Sequence, residues 1–260
     1  MKGEKTMAGN YENKKYDVDL VFCIDATGSM KPWLDKVKKN AENLYDDLCA
    51  KMKAEHRDIA RMRVRLIAFR DYAAAANEDK KNNILPMLTT DFFNLPEERK
   101  EFSDCLASIQ PIGGGDVPED GLEALAFAIK NTKWAEPRAG ILRRQIIVVW
   151  TDAGTHELGF GRSAPDYPPS MAKDFNELTR WWGYSPDEAA QQQIDGSYMD
   201  FVSKRLLIFA PEEEWWTTVS GNWCNAIHVP TVTGDGMTEV AYDHIISLLT
   251  QTITSNAVVQ

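Results

Sequence analysis

The sequence predicts an α/β fold: a mostly parallel, six-stranded sheet with helices on both faces and one antiparallel edge strand. Short apolar, β-branched runs such as 20–24 and 146–150 have the composition of strands buried on both faces of a parallel sheet. Between such runs lie segments whose apolar residues return every three or four positions, as amphipathic helices require. Their alternation implies right-handed crossovers between parallel strands.

Taken in order, residues 1–16 read as a flexible leader, and a first strand follows over about 17–25. A helix over about 32–53 places Leu34, Val37, Ala41, Leu44, Leu48 and Met52 on one face. Val64, Leu66, Ala68 and Phe69 mark a second strand; Ile84, Leu85, Met87 and Leu88 mark a short third at the sheet edge. Pro96, Glu97 and Glu98 open an acidic-start helix that runs to Ile109, and a glycine loop leads into a helix carrying Leu122, Leu125, Ala126 and Ile129. The fourth strand ends at Asp152, the fifth spans 206–209 and the sixth about 226–229. A final helix follows with Val240, Ala241, Ile245, Leu248, Leu249 and Ile253 in register.

The segment 155–204 between the fourth and fifth strands exceeds what one crossover helix needs. Its Trp181, Trp182 and Tyr184, like Trp215, Trp216 and Trp223 beyond the fifth strand, either fold over the strand ends as a lid or partner surface, or add to the core.

Composition excludes several classes. With 43% hydrophobic and 26% charged residues, the 260-residue chain is ordinary for a globular protein, and no apolar stretch is long enough to span a bilayer. The polar start lacks the apolar segment of a secretory signal, so a cytoplasmic location is expected. A net charge of −10 disfavours nucleic acid; the basic stretch 138–144 is short and reads as solvated loop charge. Cys23, Cys49, Cys105 and Cys224 are scattered singly, without the spacing of a disulfide framework or a zinc site.

The chemistry gathers at strand ends, where ligands collect in parallel sheets. The first strand stops at Asp25, and Thr27 and Ser29 follow at alternate positions, with Ala26 and Gly28 allowing a sharp turn. One carboxylate and two hydroxyls from a single loop suit a hard ion, Mg²⁺ first and Mn²⁺ or Ca²⁺ next. Alternatively, Ser29 merely caps a helix that has Pro32 near its start.

The Asp25-Ala26-Thr27-Gly28-Ser29 pattern resembles the metal-ion-dependent adhesion site (MIDAS) of von Willebrand factor A (vWA) domains, with Thr27 where serine is commoner. The resemblance implies a doubly wound, Rossmann-like domain over 17–260, with 155–204 as an insert, holding one divalent ion at its strand ends. Thr-Asp-Ala-Gly over 151–154 resembles the family's Thr-Asp-Gly turn and implies Asp152 as a water-mediated ligand. Gly-Gly-Gly-Asp-Val-Pro-Glu over 113–119 resembles integrin β-subunit I-like domains, implying Glu119 as a ligand in place of the usual threonine. The same likeness suggests a second ion, Ca²⁺ among the candidates, held by Asp71, Asp116, the Pro118 carbonyl and Glu119, although Gly114 stands where those domains carry an asparagine. Asp71 could instead pair with Arg70 or a nearby lysine. The residues of a third integrin site are replaced by Pro32 and Trp33.

The expected function is therefore a binding module without catalysis. Its metal site, Asp25, Thr27, Ser29, Glu119 and Asp152, would capture an Asp or Glu of a protein partner within an intracellular complex. Two alternatives stay open: a metal-dependent phosphoryl or ester hydrolase, and an extracellular adhesin-like module. The hydrolase lacks a second aspartate two residues after Asp25, a P-loop and a nucleophile elbow, and His156 reads as a surface histidine in a turn.

Overall fold

Lys14–Asp25 form β1, in which every residue from Tyr16 onward is buried. Tyr16, Val18, Leu20, Phe22 and Ile24 enter one core, whereas Val21 and Cys23 enter the other. A strand covered on both faces needs no polar alternation, which is why this run reads as continuously apolar. The computed structural model describes residues 13–73, 85–113, 118–192 and 197–256. Most of the leader, residues 1–12, lies outside them, and β1 begins three residues earlier than expected.

Arg57–Phe69 (β2) pairs with β1 in parallel. Met87–Thr89 (β3) and Phe93–Leu95 (β4) both run antiparallel to β2. Leu142–Trp150 (β5) lies parallel on the other side of β1, followed outward by Lys204–Ala210 (β6) and Ala226–Pro230 (β7). The sheet has seven strands, ordered β3-β2-β1-β5-β6-β7, with β4 on a second stretch of β2. It is mostly parallel with an antiparallel edge, as predicted. Of the expected third strand, Ile84 lies outside the described residues and Met87 and Leu88 fall in β3; the additional strand is β4, beyond the expected segment. At Thr90 a side chain enters the ladder, its hydroxyl accepting the Leu66 N–H at 3.0 Å while its own N–H reaches Leu66 O.

On one face pack Lys31–Asn40 (α1), Leu44–Ala54 (α2) and Arg99–Ser108 (α3); on the other, Gly121–Lys130 (α4) and Phe175–Trp182 (α5). Pro186–Gln192 (α6) follows within the insert, Glu214–Asn222 (α7) joins the α4 side, and Tyr242–Thr254 (α8) joins the α1 side. The single helix expected over 32–53 is divided by a 3-10 turn at Ala41–Asn43. There the Asn40 side chain donates back to Lys36 O, a local bond of the kind that disturbs helix interiors.

The insert's tryptophans are core, whereas its Phe160 and Tyr198 are exposed and Tyr184 is half-buried. Trp181 and Trp182 are buried with Trp216 and Trp223 beneath α4, and Trp182 stacks on Trp223 and donates to Cys224 O at 3.0 Å. The 138–144 basic stretch is a correction to its sequence reading. Arg138 pairs with buried Asp17, and Arg144 is itself buried, capping the end of α8 through Ile253 O and Ser255 O. Among the described residues no helix is long and apolar enough to cross a membrane.

Candidate metal centre

Adjacent parallel strands release acids at the same edge of the sheet. Asp25 is the last residue of β1, Asp71 lies two residues past β2, and Asp152 two past β5. From β1 the chain moves to β2 through helices on one face; from β5 it moves the opposite way to β6 through the other face. The crevice at such a reversal of direction is where open α/β sheets place their ligands.

A continuous set of short contacts joins the first loop to the turn after β5. Asp25 Oδ1 accepts from the Thr27 hydroxyl at 2.6 Å and the Thr27 N–H at 2.9 Å, and Asp25 Oδ2 accepts from the Thr151 hydroxyl at 2.7 Å. The Thr27 and Ser29 hydroxyls are 3.4 Å apart, and Ser29 Oγ donates to Asp152 Oδ1 at 2.9 Å. Asp152 Oδ2 accepts from Gly236 N–H at 2.7 Å. Ser29 therefore faces Asp152 instead of capping α1.

The third loop docks on both of the others. Its start is held where Ile112 N–H reaches Ala26 O and Gly28 N–H reaches Gly113 O, at 3.1 and 3.2 Å. Its end is held by a parallel bridge in which Glu119 N–H reaches Gly154 O and His156 N–H reaches Glu119 O. The Glu119 side chain is buried at this junction. Gly114 and Asp116 lie outside the described residues.

Burial pushes the Asp25 carboxyl up to about 6, against the lowering pull of the hydrogen bonds from Thr27 and Thr151; nearby Asp152 adds to the rise. No guanidinium or ammonium hydrogen-bonds to Asp25 or Asp152 in the contacts above, whose donors are hydroxyls and main-chain N–H groups. Two carboxylates and two hydroxyls, spaced 2.6–3.4 Å along this chain of contacts, match neighbouring oxygens around a hard cation with bonds of about 2.0–2.1 Å. An all-oxygen donor set of this kind is the chemistry that suits a hard cation. Beneath them is an aromatic floor, in which Trp150 stacks on Phe209 at 4.4 Å and Trp33 lies 4.8 Å from Trp150.

The residues suggested for a second ion are distributed differently. Arg70 does not pair with Asp71; its guanidinium donates to the carbonyls of Ala26, Leu85, Gln110 and Ile112 and so ties the loops together. Asp71 instead lies with Asp120 and His156, whose donor atoms all fall within 4.8 Å of one another. His156 is a further correction, being only 8% exposed and stacked on Phe160 with ring centroids 3.9 Å apart.

Sequence reasoning overlooked Thr151, Gly236, Asp120 and the burial of His156. Thr151 and Asp120 adjoin residues already singled out, so adjacency was an available signal. Gly236 lies 84 residues from the carboxylate it meets and had none.

No protein-family profile matches the chain. The chain is similar to "Alpha-protein kinase vwkA" of Dictyostelium discoideum, 28% identical over 151 residues that make up 58% of this chain and 21% of that protein. Among solved structures, it is similar to the pilus adhesin SpaC from Lactobacillus rhamnosus GG in its open conformation, at 12% identity and a TM-score of 0.44, over 93% of this chain and 31% of that one. Proximal thread matrix protein 1 from the mussel byssus gives 7% identity and a TM-score of 0.44, over 92% of this chain and 49% of that one. The chain spans about a fifth of the length of the curated relative it matches.

Proposed function

We propose that this chain is a metal-dependent protein-binding module of the vWA type, in which Asp25, Thr27, Ser29, Glu119 and Asp152 hold Mg²⁺ or Mn²⁺. A carboxylate of a partner protein would complete the coordination. The observation that carries this reading is the unbroken set of oxygen contacts from Asp25 through Thr27 and Ser29 to Asp152 across two neighbouring strand ends. Bound there, the ion would supply a positive centre that attracts an acidic side chain in a partly dry site. The chain's own groups do the positioning: Thr151 and Thr27 fix both oxygens of Asp25, and Gly236 fixes Asp152. The likeness to a relative whose name places it among α-protein kinases makes a signalling complex a reasonable setting.

Binding is favoured over hydrolysis because Thr27 stands two residues after Asp25, where acid–base work would need a second aspartate. The test is capture of partners by the full chain from its native cell with Mg²⁺ or with chelator, beside Asp25→Ala. Metal-dependent capture lost in Asp25→Ala is expected. Equal capture in chelator, or steady phosphate release from a generic ester that Asp25→Ala abolishes, would overturn the proposal.

A further inference from the structure

Next to the oxygen-rich centre is a side-chain cluster of different chemistry. Asp71 and His156 are 2% and 8% exposed, Asp120 is fully buried, and the three offer two carboxylates and one imidazole. Asp71 Oδ2 and His156 Nε2 face each other at 3.7 Å, and neither accepts or donates a hydrogen bond. That separation is beyond hydrogen-bond reach. It is what two ligands show when they share one small cation, since bonds of about 2.0–2.1 Å place them roughly 3–4 Å apart.

The surrounding chain holds the three side chains in place. Asp71 Oδ1 accepts from Ala73 N–H at 2.5 Å, and Asp120 Oδ2 accepts from Tyr72 N–H at 2.6 Å. The Glu119–Thr155 bridge sets Asp120 beside His156, and Phe160 stacks flat on the imidazole and fixes its plane. Gly161 permits the close fit, because a Cβ there would meet Tyr72 Cβ at 2.5 Å and Asp120 Oδ2 at 3.3 Å.

We propose that Asp71, Asp120 and His156 form a second metal site for a divalent transition ion, zinc foremost, that fastens together the loops after β2, before α4 and after β5. The donor set decides the class of ion. An imidazole among carboxylates suits zinc or iron, whereas Mg²⁺ and Ca²⁺ favour all-oxygen surroundings. Hardness thus separates two neighbouring sites that could otherwise compete for the same ion. Drawing the three donors onto one zinc needs side-chain shifts of roughly 1 Å or less. The site has its own ligands and does not depend on the proposed partner binding.

To test it, the full chain is stripped with chelator, saturated with Mg²⁺ and titrated with Zn²⁺, and Co²⁺ serves as an optical substitute. One Zn²⁺ per chain is expected. Asp71→Asn and His156→Gln should each weaken its uptake by more than about tenfold, the scale already seen for the outer partners of metal ligands, and leave the Mg²⁺-dependent thermal shift in place. Asp25→Ala should lose the Mg²⁺ response and keep zinc. A chain that retains no zinc, or whose zinc uptake is unchanged in His156→Gln, overturns the proposal; so does zinc lost only in Asp25→Ala. Should the variants fail to fold, histidine side-chain resonances of the unsubstituted chain decide, since absence of a zinc-induced shift rules the site out.

Discussion

Strand β1 buries aspartates at both of its ends, and the two ends are neutralised by different means. Near its start, Asp17 accepts from Arg61 at 3.2 Å and from Arg138 at 2.5 and 2.6 Å. Two residues on, Asp19 accepts from Arg63 at 2.7 and 2.8 Å and from Ala135 N–H at 2.7 Å. Near its finish, Asp25 and its neighbour Asp152 are met by hydroxyls and main-chain N–H groups. Guanidinium groups close the first end electrically, whereas neutral donors orient the second without cancelling its charge. One end serves the fold; at the other, the proposed cation would supply the positive charge that no side chain in these contacts provides.

Removing a carboxylate should therefore have opposite consequences at the two ends. Asp19→Asn strips the charge partner from an Arg63 whose side chain is 18% exposed, and should cost about 3 kcal/mol or more in denaturant unfolding. Asp25→Asn removes a desolvated charge with no such partner, and in metal-free buffer should leave stability within about 1 kcal/mol of the parent or raise it. Equal losses at both positions would break the contrast.

Added Mg²⁺ should sharpen it. At a hundredfold excess over its dissociation constant, a ligand of the folded state alone adds about 2.7 kcal/mol, readable as a thermal shift. The shift should persist in Asp17→Asn, if that variant folds, and vanish in Asp25→Ala.

The open end should also govern a pH response. The Asp25 carboxyl is raised from its ordinary value to about 6, so the folded metal-free protein holds a proton that the unfolded chain has released. Its contribution is complete below about pH 4 and is lost as pH rises through 6, a decline on the order of 2–3 kcal/mol. Asp25→Asn should flatten that part of the stability profile. Bound Mg²⁺ should reverse its slope, because the ion requires the ionised form.

The smallest effect is expected at Thr151. Thr151→Val removes the donor to Asp25 Oδ2 at nearly constant volume, costing about 1 kcal/mol in the metal-free state. Thr27→Ser keeps the hydroxyl and should preserve Mg²⁺ binding, whereas Thr27→Val should not.

Local features of this chain are legible in its sequence, and distant pairings are not. The run into Asp25 marks a doubly covered strand, and Thr27 and Ser29 follow it closely enough for one turn to gather them. Asp152 ends a similar run, so its place beside Ser29 follows once β1 and β5 are neighbours. A charged residue beside Asp71 suggests an ion pair as one alternative, yet loop carbonyls far along the chain accept from the Arg70 guanidinium. His156 has polar neighbours in sequence and looks exposed; only the Glu119–Thr155 bridge and the Phe160 ring bury it. The arginines of 138–144 read as loose charge because Asp17 and the end of α8 lie more than a hundred residues away.

The aromatic floor has a practical consequence. Trp150 is joined directly to Thr151, stacks on Phe209 and packs at a tilt against Trp33, and Trp33 follows Ser29 by four residues. Two indoles are thereby wired by short covalent paths to the groups that would grip a cation. The chain carries its own optical gauge, and a change in tryptophan emission should report occupancy without any attached dye.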